Sequence, residues 1–183
     1  MSENSSDLKA FKRAPSVENS KWYKGILITQ LASEKETGGD YDLTVTYARR
    51  GTEPPPHVHS RENEFFYVLE GELTAYVGKE IFQVEAGAGL FMPRGVPHAV
   101  RSKSPETRLL VLITPGGFMH AINEMAAPAE KLEIPADDAV TYASGNLENT
   151  MKIFEKYGIH LLMPEEIAQE MPAYPMPRVS GSN

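Results

Sequence analysis

The sequence predicts an all-β fold, an antiparallel sandwich or barrel, on two observations. About eight short runs read as strands, and turn-forming Gly and Pro residues separate nearly all of them. The first run, residues 25–31 (GILITQL), is rich in β-branched and aliphatic side chains, and residues 41–47 (YDLTVTY) alternate strictly. Thr37, Gly38, Gly39 and Asp40 between them read as a hairpin loop. Further strands are expected at 64–69, 73–77, 81–84, 90–92, 98–102 and 108–114. Turns fall at Gly71, Gly78-Lys79, Gly87 to Gly89, Pro93 to Pro97 and Ser104-Pro105. The run EFFYVL at 64–69 is apolar on both faces, so its outer side needs a cover, such as a second copy of the chain or a docked terminal segment. Trp22 and Tyr23, at the entry to the first strand, are expected to cover an edge or a dimer face.

After Pro115 the periodicity changes. Phe118, Ile122 and Met125 are spaced for a helix, and a second is expected over 147–157 with Asn146 as its cap and Gly158 as its stop. Pro164-Glu165-Glu166 reads as the first turn of a third, with acids at the positive end of its dipole and Pro172 beyond its end. These helices are expected to pack outside the barrel. The layout is then a loose arm over 1–20, a barrel over 21–116, a helical extension over 117–173 and a tail over 174–183.

At 183 residues the chain has room for one ordinary domain. Lys and Arg number 18 against 25 Asp and Glu, a formal charge of −7 that would repel a phosphate backbone, and no basic run overrides it. Nucleic acid and anionic membrane surfaces are therefore poor partners. No apolar stretch suits a signal peptide or membrane span, so a cytoplasmic location is expected. With no cysteine, disulfides, thiolate metal sites and cysteine nucleophiles are excluded together. Any metal must take His, Asp, Glu or backbone oxygen.

Three of the five histidines, His57, His59 and His98, fall in the barrel region. A spacing of two on a strand points His57 and His59 to one face. Glu62 and Glu64 are the next acids. On a straight strand Glu64 would face away from His59, and a turn or bulge through Ser60 to Asn63 restores it to the histidine side. His98 opens a later strand and supplies a further ligand. Three neutral imidazoles and a carboxylate suit one divalent transition metal, Fe, Ni, Mn, Co, Cu or Zn, and are too nitrogen-rich for Ca or Mg.

The arrangement resembles the cupins. Their first motif is met by Gly51, five residues, His57-Val58-His59, four residues, Glu64, six residues and Gly71. Their second is met by Gly87, five residues, Pro93-Arg94-Gly95, two residues and His98, with Ser102 where the family has Asn. The resemblance implies a small single-barrel cupin jelly roll, with His57, His59, Glu64 and His98 as metal ligands. Pro115-Gly116-Gly117-Phe118 and Tyr157-Gly158-Ile159 resemble elements of the quercetin 2,3-dioxygenase-type members. That narrower resemblance implies a mononuclear metal-dependent dioxygenase that opens an aromatic or enolisable, flavonol-type substrate with O2. Glu64 would be a plain ligand or also the general base on a substrate hydroxyl.

Phe66 shares the strand face of Glu64 and is expected to line the barrel near the metal; Tyr76, Phe91, Met92 and Met119 are assigned to the substrate lining or to packing. The alternatives are a non-redox metal cupin, an isomerase, lyase or hydrolase, and a non-catalytic small-molecule-binding cupin. The expected partners are a small-molecule substrate and a second copy of the chain in a homodimer.

Overall fold

The computed structural model describes residues 8–136 and 139–176. Its strands are β1 (Ser20–Tyr23), β2 (Ile26–Ala32), β3 (Asp42–Arg49), β4 (His57–His59), β5 (Asn63–Glu70), β6 (Glu72–Val77), β7 (Glu80–Glu85), β8 (Gly89–Met92), β9 (His98–Ser102) and β10 (Glu106–Thr114). Then follow α1 (Met119–Asn123), β11 (Ala127–Pro128), α2 (Leu147–Lys156), β12 (Ile159–Leu161) and α3 (Pro164–Glu170). Among the described residues the strands form two antiparallel sheets, ordered β11-β1-β2-β3-β10-β5-β8 and β12-β4-β9-β6-β7. No helix of the described residues is long and apolar enough to cross a membrane.

The sheets face one another across a core built by period-two alternation. Val68 of β5, Leu73 and Ala75 of β6, Met92 of β8 and Val111 and Ile113 of β10 all turn inward and are at most 7% exposed. Each larger side chain in that set contributes roughly 1.5–3 kcal/mol by leaving water. The opposite face of the larger sheet stays apolar too: Phe65, Tyr67, Leu69 and Phe91 are each 38–54% exposed. Phe65 stands opposite both Phe91 and Leu112 in register, so these side chains form a row across three strands.

The turn between β5 and β6 needs glycine. Gly71 has φ +89, and a Cβ there would meet the Glu106 carbonyl oxygen at 2.8 Å. At the other end of the chain Asn146 caps α2 by accepting from the Asn149 amide at 2.9 Å, and Gly158, with φ +80, ends the following turn. Gly158 also lets β12 approach β4, its carbonyl accepting from both the amide and the hydroxyl of Ser60. The extension is thereby knitted into both sheets, β11 onto β1 and β12 onto β4.

α3 packs on the outside of the smaller sheet, where Ile167 and Met171 cover Val58, Tyr76 and Ala99. α1 packs at one end of the barrel. Its Met119 and Ile122 join Tyr23, Ile26, Ile28 and Phe154 in a second cluster over one end of the larger sheet. Asp42 holds this end together: at 1% exposure its carboxylate accepts from Gln30 Nε2 at 3.1 Å, the Glu34 amide at 2.9 Å and the Gly117 amide at 2.7 Å. Replacing Asp42 with Ala leaves those buried donors without an acceptor. Chemical denaturation is expected to show a loss of about 3 kcal/mol, whereas a loss below about 1 kcal/mol would mean that water takes over the carboxylate's role.

Candidate metal centre

The site lies between the two sheets. His57 and His59 come from β4, and His98 stands directly opposite His57 on β9. Glu64 comes from the larger sheet, where β5 pairs it with Met92 and Ile113. The chain leaves β4 at His59, turns through Ser60 to Glu62 and enters the facing sheet at Asn63. The face of Glu64 is therefore restored by a change of sheet.

All four side chains are at most 9% exposed, and each offers a donor atom within 4.8 Å of the others. The three imidazoles are held from behind. His57 Nδ1 lies 2.9 Å from the Pro55 carbonyl oxygen, His98 Nδ1 3.0 Å from that of Val96, and His59 Nδ1 3.3 Å from Glu62 Oε2. A carbonyl oxygen only accepts, so Nδ1 carries the proton in His57 and His98, and the Nε2 of a neutral ring is left with its lone pair. His98 Nε2 is 3.0 Å from Glu64 Oε2, and His59 Nε2 is 3.8 Å from Glu64 Oε1. His59 Nε2 is buried without a hydrogen-bond partner. An orphaned ring nitrogen beside two more imidazoles and a carboxylate fits a transition-metal ion, which gives each donor a partner.

The states of His57 and Glu64 agree with that fit. Burial, aided by the neighbouring His98 and His59, drives His57 down to about 3, so it stays neutral. Burial alone would raise the Glu64 carboxyl, but the neighbouring His59 and His98 outweigh it and hold it at about 2, an ionised ligand. Burial also lowers His59, yet the charges of Glu64 and Glu62 more than reverse this and raise it.

Glu62 was legible only as an acid near the motif; its place behind His59, at 5% exposure, is set by the turn between the sheets. Glu62→Gln weakens the hold on the His59 ring. Metal affinity is expected to fall roughly 10- to 100-fold in a competitive chelator titration. An unchanged affinity would show that packing alone orients the ring.

A mainly apolar cavity adjoins the centre and reaches His57, Glu64 and His98. Phe66 and Met119 line it, together with Phe118, whose ring centroid is 5.3 Å from that of His59. Tyr76, Phe91 and Met92 are not on this wall. Alternation along β6 turns Tyr76 outward against Tyr174, and Phe91 lies on the exposed outer face, 54% exposed. Met92 does point inward but is fully buried within the core. Tyr23 departs from expectation in the other direction: instead of covering an edge it lines the cavity, as does Tyr142. Its neighbour Trp22 donates to the Glu133 carbonyl oxygen at 2.9 Å.

Residues 43–115, which carry all four clustered residues, match the family profile for a cupin domain. Over these residues the barrel is similar to cupin domains. The chain is also 28% identical over 121 residues to the quercetin 2,3-dioxygenase of Bacillus subtilis (strain 168), a match covering 66% of this chain and 34% of that protein. The match thus spans about a third of the length of that relative. Among solved structures it is similar to an RmlC-like cupin from Shewanella frigidimarina NCIMB 400, with a TM-score of 0.52 at 19% identity, covering 62% of this chain and 98% of the other. KdgF from Halomonas sp. matches with a TM-score of 0.47 at 21% identity over 52% and 84% of the two chains.

Proposed function

We propose that this cupin is a mononuclear metal-dependent dioxygenase that opens an aromatic or enolisable substrate with O2, in the manner of a quercetin 2,3-dioxygenase. The observation that carries the reading is the convergence of three imidazoles and one carboxylate, one ring nitrogen orphaned, at the side of a mainly apolar cavity. His57, His59, Glu64 and His98 would hold the ion. When bound, the metal supplies a coordination position for the substrate oxygen and the redox chemistry that dioxygen requires.

The chain's own groups do the rest. Glu64 takes the proton from a substrate hydroxyl, its carboxylate being ionised and within reach of His98. Phe66 and Phe118 flank the reacting ring, and the apolar wall keeps water from the activated substrate. Both oxygen atoms of O2 enter the products as carbon–carbon bonds of the ring break.

The test is oxygen uptake by metal-reconstituted protein with quercetin and other enolisable phenols. Stoichiometric O2 consumption with ring-opened product supports the reading. Turnover that persists under strict anaerobiosis assigns the site to Lewis-acid chemistry, and bound ligand released unchanged assigns it to a binding protein.

The exposed row of Phe65, Tyr67, Leu69 and Phe91 is read as the contact of a homodimer. Light scattering on the purified chain is expected to give the mass of two chains. A single-chain mass leaves the row without that role.

A further inference from the structure

The second polar feature of the cavity lies outside the metal cluster. Tyr23, the last residue of β1, and Tyr142, on the connection before α2, both line the cavity and are 2% and 8% exposed. Their hydroxyl oxygens are 2.9 Å apart, with the rings edge to face at 85°. Tyr142 comes from beyond residues 43–115, so it belongs to the extension and not to the part that matches the family profile.

Two hydroxyls carry two protons, and their mutual hydrogen bond uses one. Neither oxygen has another partner among the described residues. Whichever hydroxyl accepts therefore keeps an O–H with no acceptor, buried beside a mainly apolar cavity. A buried donor left unmade is costly, and a hydrogen bond formed there is correspondingly favourable. Both phenols remain protonated donors: burial raises Tyr23, and burial, Tyr23 and the charge of Glu64 raise Tyr142.

We propose that the Tyr23–Tyr142 pair is the oxygen-binding end of the cavity, donating a hydrogen bond to a carbonyl or enolate oxygen on an otherwise apolar, ring-bearing ligand. The proposal deepens the reading of the cavity as a substrate site. It assigns the substrate a second oxygen besides the one directed to the metal cluster. It also gives the extension a part in specificity, since Tyr142 is supplied from there.

The experiment is independent of metal and of O2. Acetophenone and α-methylstyrene have the same shape, but only the first carries a carbonyl oxygen. Each is titrated into the full chain by NMR chemical-shift perturbation, for the wild type and for Tyr23→Phe/Tyr142→Phe, which removes both hydroxyls and keeps both rings. The wild type is expected to prefer acetophenone about tenfold, and the double variant less than about twofold. A merely structural pair would move both affinities alike and leave their ratio unchanged.

Should the double variant not fold, the single variants carry the same readout, and at least one must lower the preference below about threefold. The proposal is overturned if the ratio is unchanged in every folded variant, or if the wild type binds the probes equally or binds neither. Loss of the preference in a protein that consumes no oxygen would uphold the tyrosine assignment while removing the dioxygenase reading.

Discussion

His59→Ala is expected to abolish metal binding at the candidate centre. Elemental mass spectrometry of untagged wild-type protein is expected to find about one transition-metal ion per chain, and of the variant less than about a tenth of that. His59 is the most deeply buried of the four clustered residues, at 0% exposure, and its Nε2 is the donor that has no other partner. The substitution also leaves the Glu62 carboxylate buried without its imidazole. A second readout follows from mass action: a ligand at a thousand times its dissociation constant stabilises the folded state by about 4 kcal/mol. Chelation should therefore lower the melting temperature of the wild type and leave that of His59→Ala unchanged. His120→Ala, at an exposed histidine paired with Glu34, is the control and keeps its metal. Retention of a full complement by His59→Ala would reduce the cluster to a buried polar network. Stoichiometric Zn in the wild type would put the non-redox alternative first.

Glu64→Gln separates holding the metal from using it. The amide keeps the size of the carboxylate and one acceptor oxygen, and the three imidazoles remain held by Pro55, Val96 and Glu62. Metal content is expected to stay above about half of the wild-type value. Turnover is expected to fall about 10²- to 10⁴-fold, the usual range for loss of a positioned base. A fully active variant would restrict Glu64 to a ligand role. Parallel loss of metal and turnover would do the same, because the activity would then report only occupancy.

Much of the barrel could be read from alternation. Residues 42–47 of the first alternating run and all of 108–114 lie within β3 and β10, which pair with each other over most of their length. The strands that escaped are those too short to have a period. β12 holds three residues and β11 two, and in each the pairing partner, not local propensity, makes the strand.

His57 and His59 were legible from their spacing of two and His98 from the tight turn before it, whereas Glu64 faces them through the turn between the sheets and was placed by the motif resemblance. The cavity wall was not legible. Phe66 and Met92 both point inward from neighbouring strands, and only the packing of the opposite sheet decides which borders space and which fills it. Tyr142 was invisible for a simpler reason: it sits in a turn with no periodicity, and its partner Tyr23 is 119 residues away in sequence.

The seating of Phe118 also bears on how such a protein can diversify. Gly117 is tied to Asp42, and Phe118, Met119 and Ile122 border the cavity, all from a segment that begins after the matched residues 43–115 end. The cavity wall is thus shared between the matched stretch, which also carries the four clustered residues, and the segment that follows it. Exchanging the segment after Pro115 between related barrels would retune which molecules enter while the ion-holding residues stay untouched.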